Sequence, residues 1–269
     1  PDNLFNTMLK AFLYLFICGS SLSLLAQSSE SNDLKTVADS NVIRYNYPQE
    51  TEYVSGMKTA IKIMDKGMSV EQLQQAANFF EDMSYRYPSD WLSPYYAAYC
   101  YSVMSFMEKI KLLKDKYLDD AQKQVDVAKR LSPNNAEVLA VQAYIYQLRV
   151  EVNPEQRVEE FGTMAELTFK QALSVDTDNP RVYYLRAQNA FFSPQISREA
   201  ACEIVIEAQG KYAVFSPANE LAPKWGEAMV DFMSQTCQKM FARQSTQPPA
   251  NTTPEGTMPT NTNKEQQDK

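Results

Sequence analysis

The feature that most constrains this chain is a recurring trio: a small residue, a large apolar one and another core-type residue at i, i+4 and i+7, followed by a helix break. Ala76, Phe80 and Met83 lead to Pro88; Ala121, Val125 and Ala128 lead to Pro133. Ala165, Phe169 and Ala172 lead to Asp176-Thr177-Asp178-Asn179-Pro180, and Ala201, Val205 and Ala208 have a looser exit near Pro217. That spacing puts each trio on one face of a helix. The small residue lets a second helix approach, the large one fills the gap, and proline or a polar turn stops the run. A sheet fold would need a turn signal every ~8–12 residues, and 7 glycines cannot supply them. With 44% hydrophobic and 22% charged residues the chain can form a packed core. The expected fold class is all-α, a solenoid of αα-hairpins with about nine helices over residues 51–243.

The segments before each trio complete the pattern. After Pro88 the chain reads Trp91-Leu92-Ser93-Pro94-Tyr95-Tyr96-Ala97-Ala98-Tyr99-Cys100-Tyr101, with Ala98 in a small slot and Tyr101 in an aromatic one. Ala143 and Tyr146 repeat the pair; in the third unit Ala187 takes the small slot, but Ala190 occupies the aromatic one, with Phe191 next to it. On these residues the chain resembles the tetratricopeptide repeat (TPR) family. Trp91 to Ala98, Asn179-Pro180-Arg181-Val182-Tyr183-Tyr184-Leu185 and Leu221-Ala222-Pro223-Lys224-Trp225-Gly226 resemble, more narrowly, exported TPR-like proteins of Bacteroidetes-type bacteria. The chain departs from the pattern in three places. Two units carry about ten extra residues between their helices, around Glu108–Lys116 and Glu151–Glu160. The family's Gly-Gly-Gly-Lys turn after the third unit is replaced by Ser193-Pro194-Gln195-Ile196-Ser197-Arg198.

Both ends read differently from the middle. Met8-Leu9-Lys10, the apolar run Ala11 to Leu25 and the small residues around Ala26 describe a secretory signal peptide over residues 1–26. Residues 1–7 precede the expected start and read as an upstream artefact. Residues 27–50 read as a linker, and residues 244–269, rich in Thr, Pro, Asn and Gln, as a disordered tail. The expected location is therefore periplasmic or secreted, with no stable membrane insertion after cleavage.

Composition narrows the chemistry. The chain has no histidine, which removes imidazole bases, Ser-His and Cys-His pairs, and the commonest zinc ligand. A net charge of −7 argues against nucleic acid as a partner. No Gly-rich phosphate loop or nucleophile elbow is present. No catalytic residue, metal site or cofactor is expected. Asp176-x-Asp178-Asn179 reads as a helix-stop turn because the glycine and glutamate of a calcium loop are missing. Cys202 and Cys237 lie on consecutive helices, where an oxidising compartment permits a disulfide. Two unpaired buried thiols are the other reading.

The TPR resemblance implies a concave groove lined by positions 2, 5, 9 and 12 of each first helix. Here those are Leu92, Tyr95, Tyr99 and Ser102, then Glu137, Ala140, Tyr144 and Gln147, then Arg181, Tyr184, Gln188 and Phe191. Tyr95, Tyr99, Tyr144, Arg181, Tyr184 and Gln188 are the candidate ligand-binding residues, since tyrosine joins apolar area to a hydrogen-bonding tip. The alternative for these rings is packing between helices. The expected function is a non-catalytic scaffold that clasps a peptide or protein partner in this groove. The second reading is a glycan or small-molecule binder linked to nutrient uptake, recognisable by an enclosed pocket with convergent polar groups.

Overall fold

The structure is a computed structural model and describes residues 50–246 apart from Met68, together with Pro48. The expected signal peptide, nearly all of the linker and the tail from residue 247 lie outside the described residues. Nine helices follow in order, and no strand occurs among the described residues. They are α1 (Thr51–Asp65), α2 (Val70–Arg86), α3 (Leu92–Met107), α4 (Lys111–Leu131) and α5 (Ala136–Val152). α6 opens as a turn at Pro154–Arg157, passes through a π-helical stretch at Val158–Gly162 and continues as Thr163–Val175. α7 (Pro180–Phe192), α8 (Arg198–Val214) and α9 (Glu227–Thr246) complete the chain. The fold is all-α.

Consecutive helices pack against each other, and α3, α5 and α7 also touch one another in turn. This makes two layers. The inner helices are apolar almost all round: α5 buries Val138, Leu139, Ala140, Val141, Ala143, Tyr144, Ile145 and Leu148. The outer helices bury one stripe only, and in α4 that stripe is Leu118, Ala121, Val125 and Ala128. The trios read from sequence are the outer stripes. Their small members Ala76 and Ala121 have no exposed surface, and neither do Ala143 and Ala187 in the small slots of the inner helices.

Each inner helix starts on a buried cap, which fixes where it begins. Asp90 accepts from the backbone N–H of Leu92 and Ser93, at 3.0 and 2.9 Å. Asn135 accepts from Glu137 N–H at 2.9 Å, and Asn179 from Arg181 N–H at 3.1 Å. These bonds satisfy amides that a helix N-terminus otherwise leaves open. All three caps are buried.

Residues 215–226, between α8 and α9, run across the inner layer as a strap. Tyr96 donates to the Leu221 carbonyl (2.8 Å), Arg181 to the Pro223 carbonyl (3.2 Å) and Tyr212 to the Trp225 carbonyl (2.7 Å). Lys58 of α1 pairs with Glu220 at 2.6 Å. Leu221, Ala222, Pro223 and Trp225 are buried. The strap turns into α9 at Gly226, whose φ of 102° lies in the left-handed region that favours glycine. A Cβ there would also collide with the Tyr212 hydroxyl and approach Tyr184 Cδ1 to 2.9 Å.

Candidate functional site

The inner layer carries a buried polar network directly under the strap. Glu137 on α5 forms an ion pair with Arg181 on α7, and both are 1% exposed. The same carboxylate accepts from Asn179 Nδ2 at 2.8 Å and from the Tyr95 hydroxyl at 3.2 Å. Trp225 Nε1 donates to the Tyr95 hydroxyl at 2.8 Å, and the Arg181 guanidinium lies over the Phe215 ring at 4.4 Å. Burial pushes the Tyr95 hydroxyl well up, and the neighbouring Glu137 charge adds to it. Every strong donor and acceptor in this cluster is used internally except Arg181 Nε. It is a structural lock, with no opening for a ligand.

This corrects part of the groove expectation. Tyr95, Tyr99, Tyr144, Arg181, Tyr184 and Gln188 do lie on the inner layer, but not around one open, solvated groove. The strap fills that surface. Tyr95 and Arg181 are sealed beneath it, Tyr144 and Tyr184 are each 5% exposed, and Tyr99 stacks on Trp225 with ring centroids 4.4 Å apart. The physical reason is that a row of tyrosines on a concave face is apolar enough to be covered by the chain's own Leu221, Pro223 and Trp225.

Two cavities open beside the inner helices, and the strap borders the smaller one. The smaller, about 270 Å³, is lined by Met64, Asp65, Leu73, Tyr99, Tyr184 and Trp225. Burial raises the Asp65 carboxyl, and the Lys224 charge partly offsets this. The larger, about 590 Å³, lies between α5, α7, α9 and the α3–α4 connection, and Met229 borders both. Its apolar walls are Phe106, Tyr144, Phe192, Met229 and Phe232. Polar groups ring it: Glu108, Lys109, Lys114, Gln147, Glu151, Gln188 and Asn189. Of the expected site residues, Tyr144 and Gln188 face this cavity and Tyr99 and Tyr184 face the smaller one.

All three departures from the repeat pattern meet at the larger cavity. The first insert supplies Glu108, Lys109 and Lys114; the second supplies Glu151 and Pro154; the replaced turn supplies Ser193, Pro194 and Gln195. The inserts are ordered and tied together. Arg157 grips Asp115 with two bonds of 2.6 and 2.8 Å, and Arg149 holds Asp119 at 2.8 Å. The Arg157 bonds hold the Asp115 carboxyl below the usual carboxylate range. Glu151 is exposed on the cavity wall, and desolvation by the protein massed around that cavity pushes its carboxyl up to about 7. Sequence reasoning flagged the inserts as anomalies but did not name Phe106, Lys114, Glu151, Met229 or Phe232 as site residues. Met229 and Phe232 carried no signal, because α9 lies outside the repeating units.

Cys202 on α8 is bonded to Cys237 on α9, with S–S 1.99 Å, and Cys100 is a buried free thiol. Among the described residues no group of three His, Cys, Asp or Glu side chains could hold a metal ion. No helix among them is long and apolar enough to cross a membrane.

No family model matches the chain, and no curated protein matches it either. A solved structure does: the HusA haemophore from Porphyromonas gingivalis, at a TM-score of 0.63 and 23% sequence identity. The fold is similar to that of a haemophore. The match covers 76% of this chain and 100% of that one. At this identity the likeness speaks for the fold alone, so the function of this chain rests on its own cavity.

Proposed function

We propose that this chain is a non-catalytic, exported carrier that holds a flat, largely apolar small molecule of porphyrin size in the larger cavity. The observation that carries the reading is the convergence of both inserts and the replaced turn on that one space. A repeat that only stacks helices has no use for those additions. At about 590 Å³ the cavity falls within the ~300–1,000 Å³ typical of small-molecule sites. Its aromatic and methionine walls suit a ring system, and its few polar groups suit the ring's substituents. Similarity to a haemophore, an argument by fold analogy, makes a porphyrin the first ligand to try. With no histidine in the chain, imidazole cannot hold a haem iron; ring contacts from Phe106, Tyr144, Phe192 and Phe232 would dominate affinity. The peptide-scaffold reading loses its groove to the strap, and the small-molecule reading takes its place. The export half of the proposal rests on the segment over residues 1–26.

The test is a titration of haem into the chain, followed by absorbance and by tryptophan quenching. The expected result is saturable one-to-one binding with a shifted Soret band, weakened when Phe106 or Phe232 is changed to Ser. A spectrum that stays that of free haem at every ratio would overturn the proposal.

A further inference from the structure

The polar lining of the larger cavity is unbalanced in one direction. Gln147 Nε2 is buried without a hydrogen-bond acceptor. Lys114 is half-buried and makes no ion pair among the described residues; Glu151 is the carboxylate it acts on through space. Glu108, the other carboxylate at the mouth, is already committed, accepting from the N–H groups of Lys109 and Ile110 at 2.7 and 3.0 Å. Tyr144, Gln147 and Glu151 stand at i, i+3 and i+7, on one face of α5. Lys114 and Gln147 thus line the space, the Lys114 ammonium without an ion-pair partner among the described residues and the Gln147 amide nitrogen occluded within the wall, and one carboxylate stands beside them. A buried donor left unmatched is costly, and a ligand that brings an acceptor removes the cost.

Building on the carrier reading, we propose that the ligand's apolar body bears a carboxylate, that Lys114 donates to it, joined by Gln147 once its amide turns toward the cavity, and that Glu151 takes up a proton from solvent as it enters. The proton removes the like charge that would otherwise repel the incoming group. Partial desolvation on the cavity wall, which holds the empty-site carboxyl at about 7, leaves Glu151 poised between its two forms near neutral pH. The other titratable groups facing it are Glu108, Lys109 and Lys114 from the α3–α4 side, Tyr144 on α5 and Tyr184 on α7. Burial pushes both tyrosines away from neutrality. α9 contributes the uncharged Met229 and Phe232. The sign follows from linkage. A bound anion raises the Glu151 carboxyl further, so the complex holds more protons than the empty site, and affinity falls as pH rises above about 7.

Haem and its dimethyl ester are titrated into the full chain at about pH 6 and about pH 8. The free acid is expected to bind about tenfold tighter than the ester at the lower pH. The preference shrinks at the higher pH. Glu151→Gln is expected to hold it equal at both, and Lys114→Met or Gln147→Leu to reduce it. Equal affinity of acid and ester in the unaltered chain, or a preference indifferent to pH, would overturn this inference and leave the carrier reading standing. Failure of either ring to bind would remove both. The ester comparison needs no substitution, so a variant that folds poorly does not decide the matter.

Discussion

Two glutamates on α5 show how place sets the behaviour of one side chain. Glu137 is buried against Arg181, Asn179 and Tyr95, where both carboxylate oxygens have donors. Removing that carboxylate strands a buried guanidinium. Glu137→Ala is expected to cost ~3–5 kcal/mol in urea unfolding; a loss within error would mean that the network is slack. Glu151, with no hydrogen-bond or ion-pair partner among the described residues, behaves oppositely. Its carboxyl ionises at about 7 in the folded chain against an ordinary 4.5. Between those values the folded chain keeps a proton that the unfolded chain has released, so stability falls as pH rises through that window. Glu151→Gln should therefore raise the melting temperature well above neutrality and leave it unchanged near pH 4.5. A variant that gains nothing in alkaline buffer would show that Glu151 is solvated as freely as a surface residue.

At the scale of elements, the helix pairs test directly. Ala143 and Ala187 have no exposed surface where inner helices meet their neighbours. Leucine at either site overpacks the contact and should cost ~1–3 kcal/mol. Unchanged melting would refute the pairing. Gly226→Ala is expected to be as damaging despite adding a single methyl, because the strap turns there at positive φ against Tyr212 and Tyr184. The helices were legible because their information is local: a trio at helical spacing, a cap and a stop lie within one segment, as in Ala121, Val125, Ala128 and Ser132-Pro133. The strap was not. Leu221, Pro223 and Trp225 have no period, and their partners Tyr96, Arg181 and Tyr95 lie far away in sequence. For the same reason nothing local to the tyrosines showed that the chain's own strap would cover them. The cavity was half legible: its inserts stood out as breaks in the pattern, while the α9 residues that close it followed no pattern at all.

For the molecule as a whole, α8, the strap and α9 act as a closing unit, and the Cys202–Cys237 bond fastens its two helices. Changing both cysteines to serine should lower stability by ~2–4 kcal/mol, with a lower urea midpoint that reducing agent no longer affects. If the unaltered protein is equally indifferent to reductant, the bond does not contribute. The strap also changes what kind of array this is. In an open solenoid each repeat answers only to its neighbours, and the chain can order from one end as it is made. Here Tyr96 waits for Leu221, 125 residues later, and Tyr95 for Trp225, 130 residues later. A ribosome that has delivered α1 to α7 has delivered a two-layered sheet of helices with its tyrosine face bare. That face stays sticky until the last fifth of the chain emerges. Synthesis from the N-terminus therefore cannot finish the fold piecemeal, and a nascent chain stalled before residue 215 should depend on chaperone cover in a way that an open array of equal length does not.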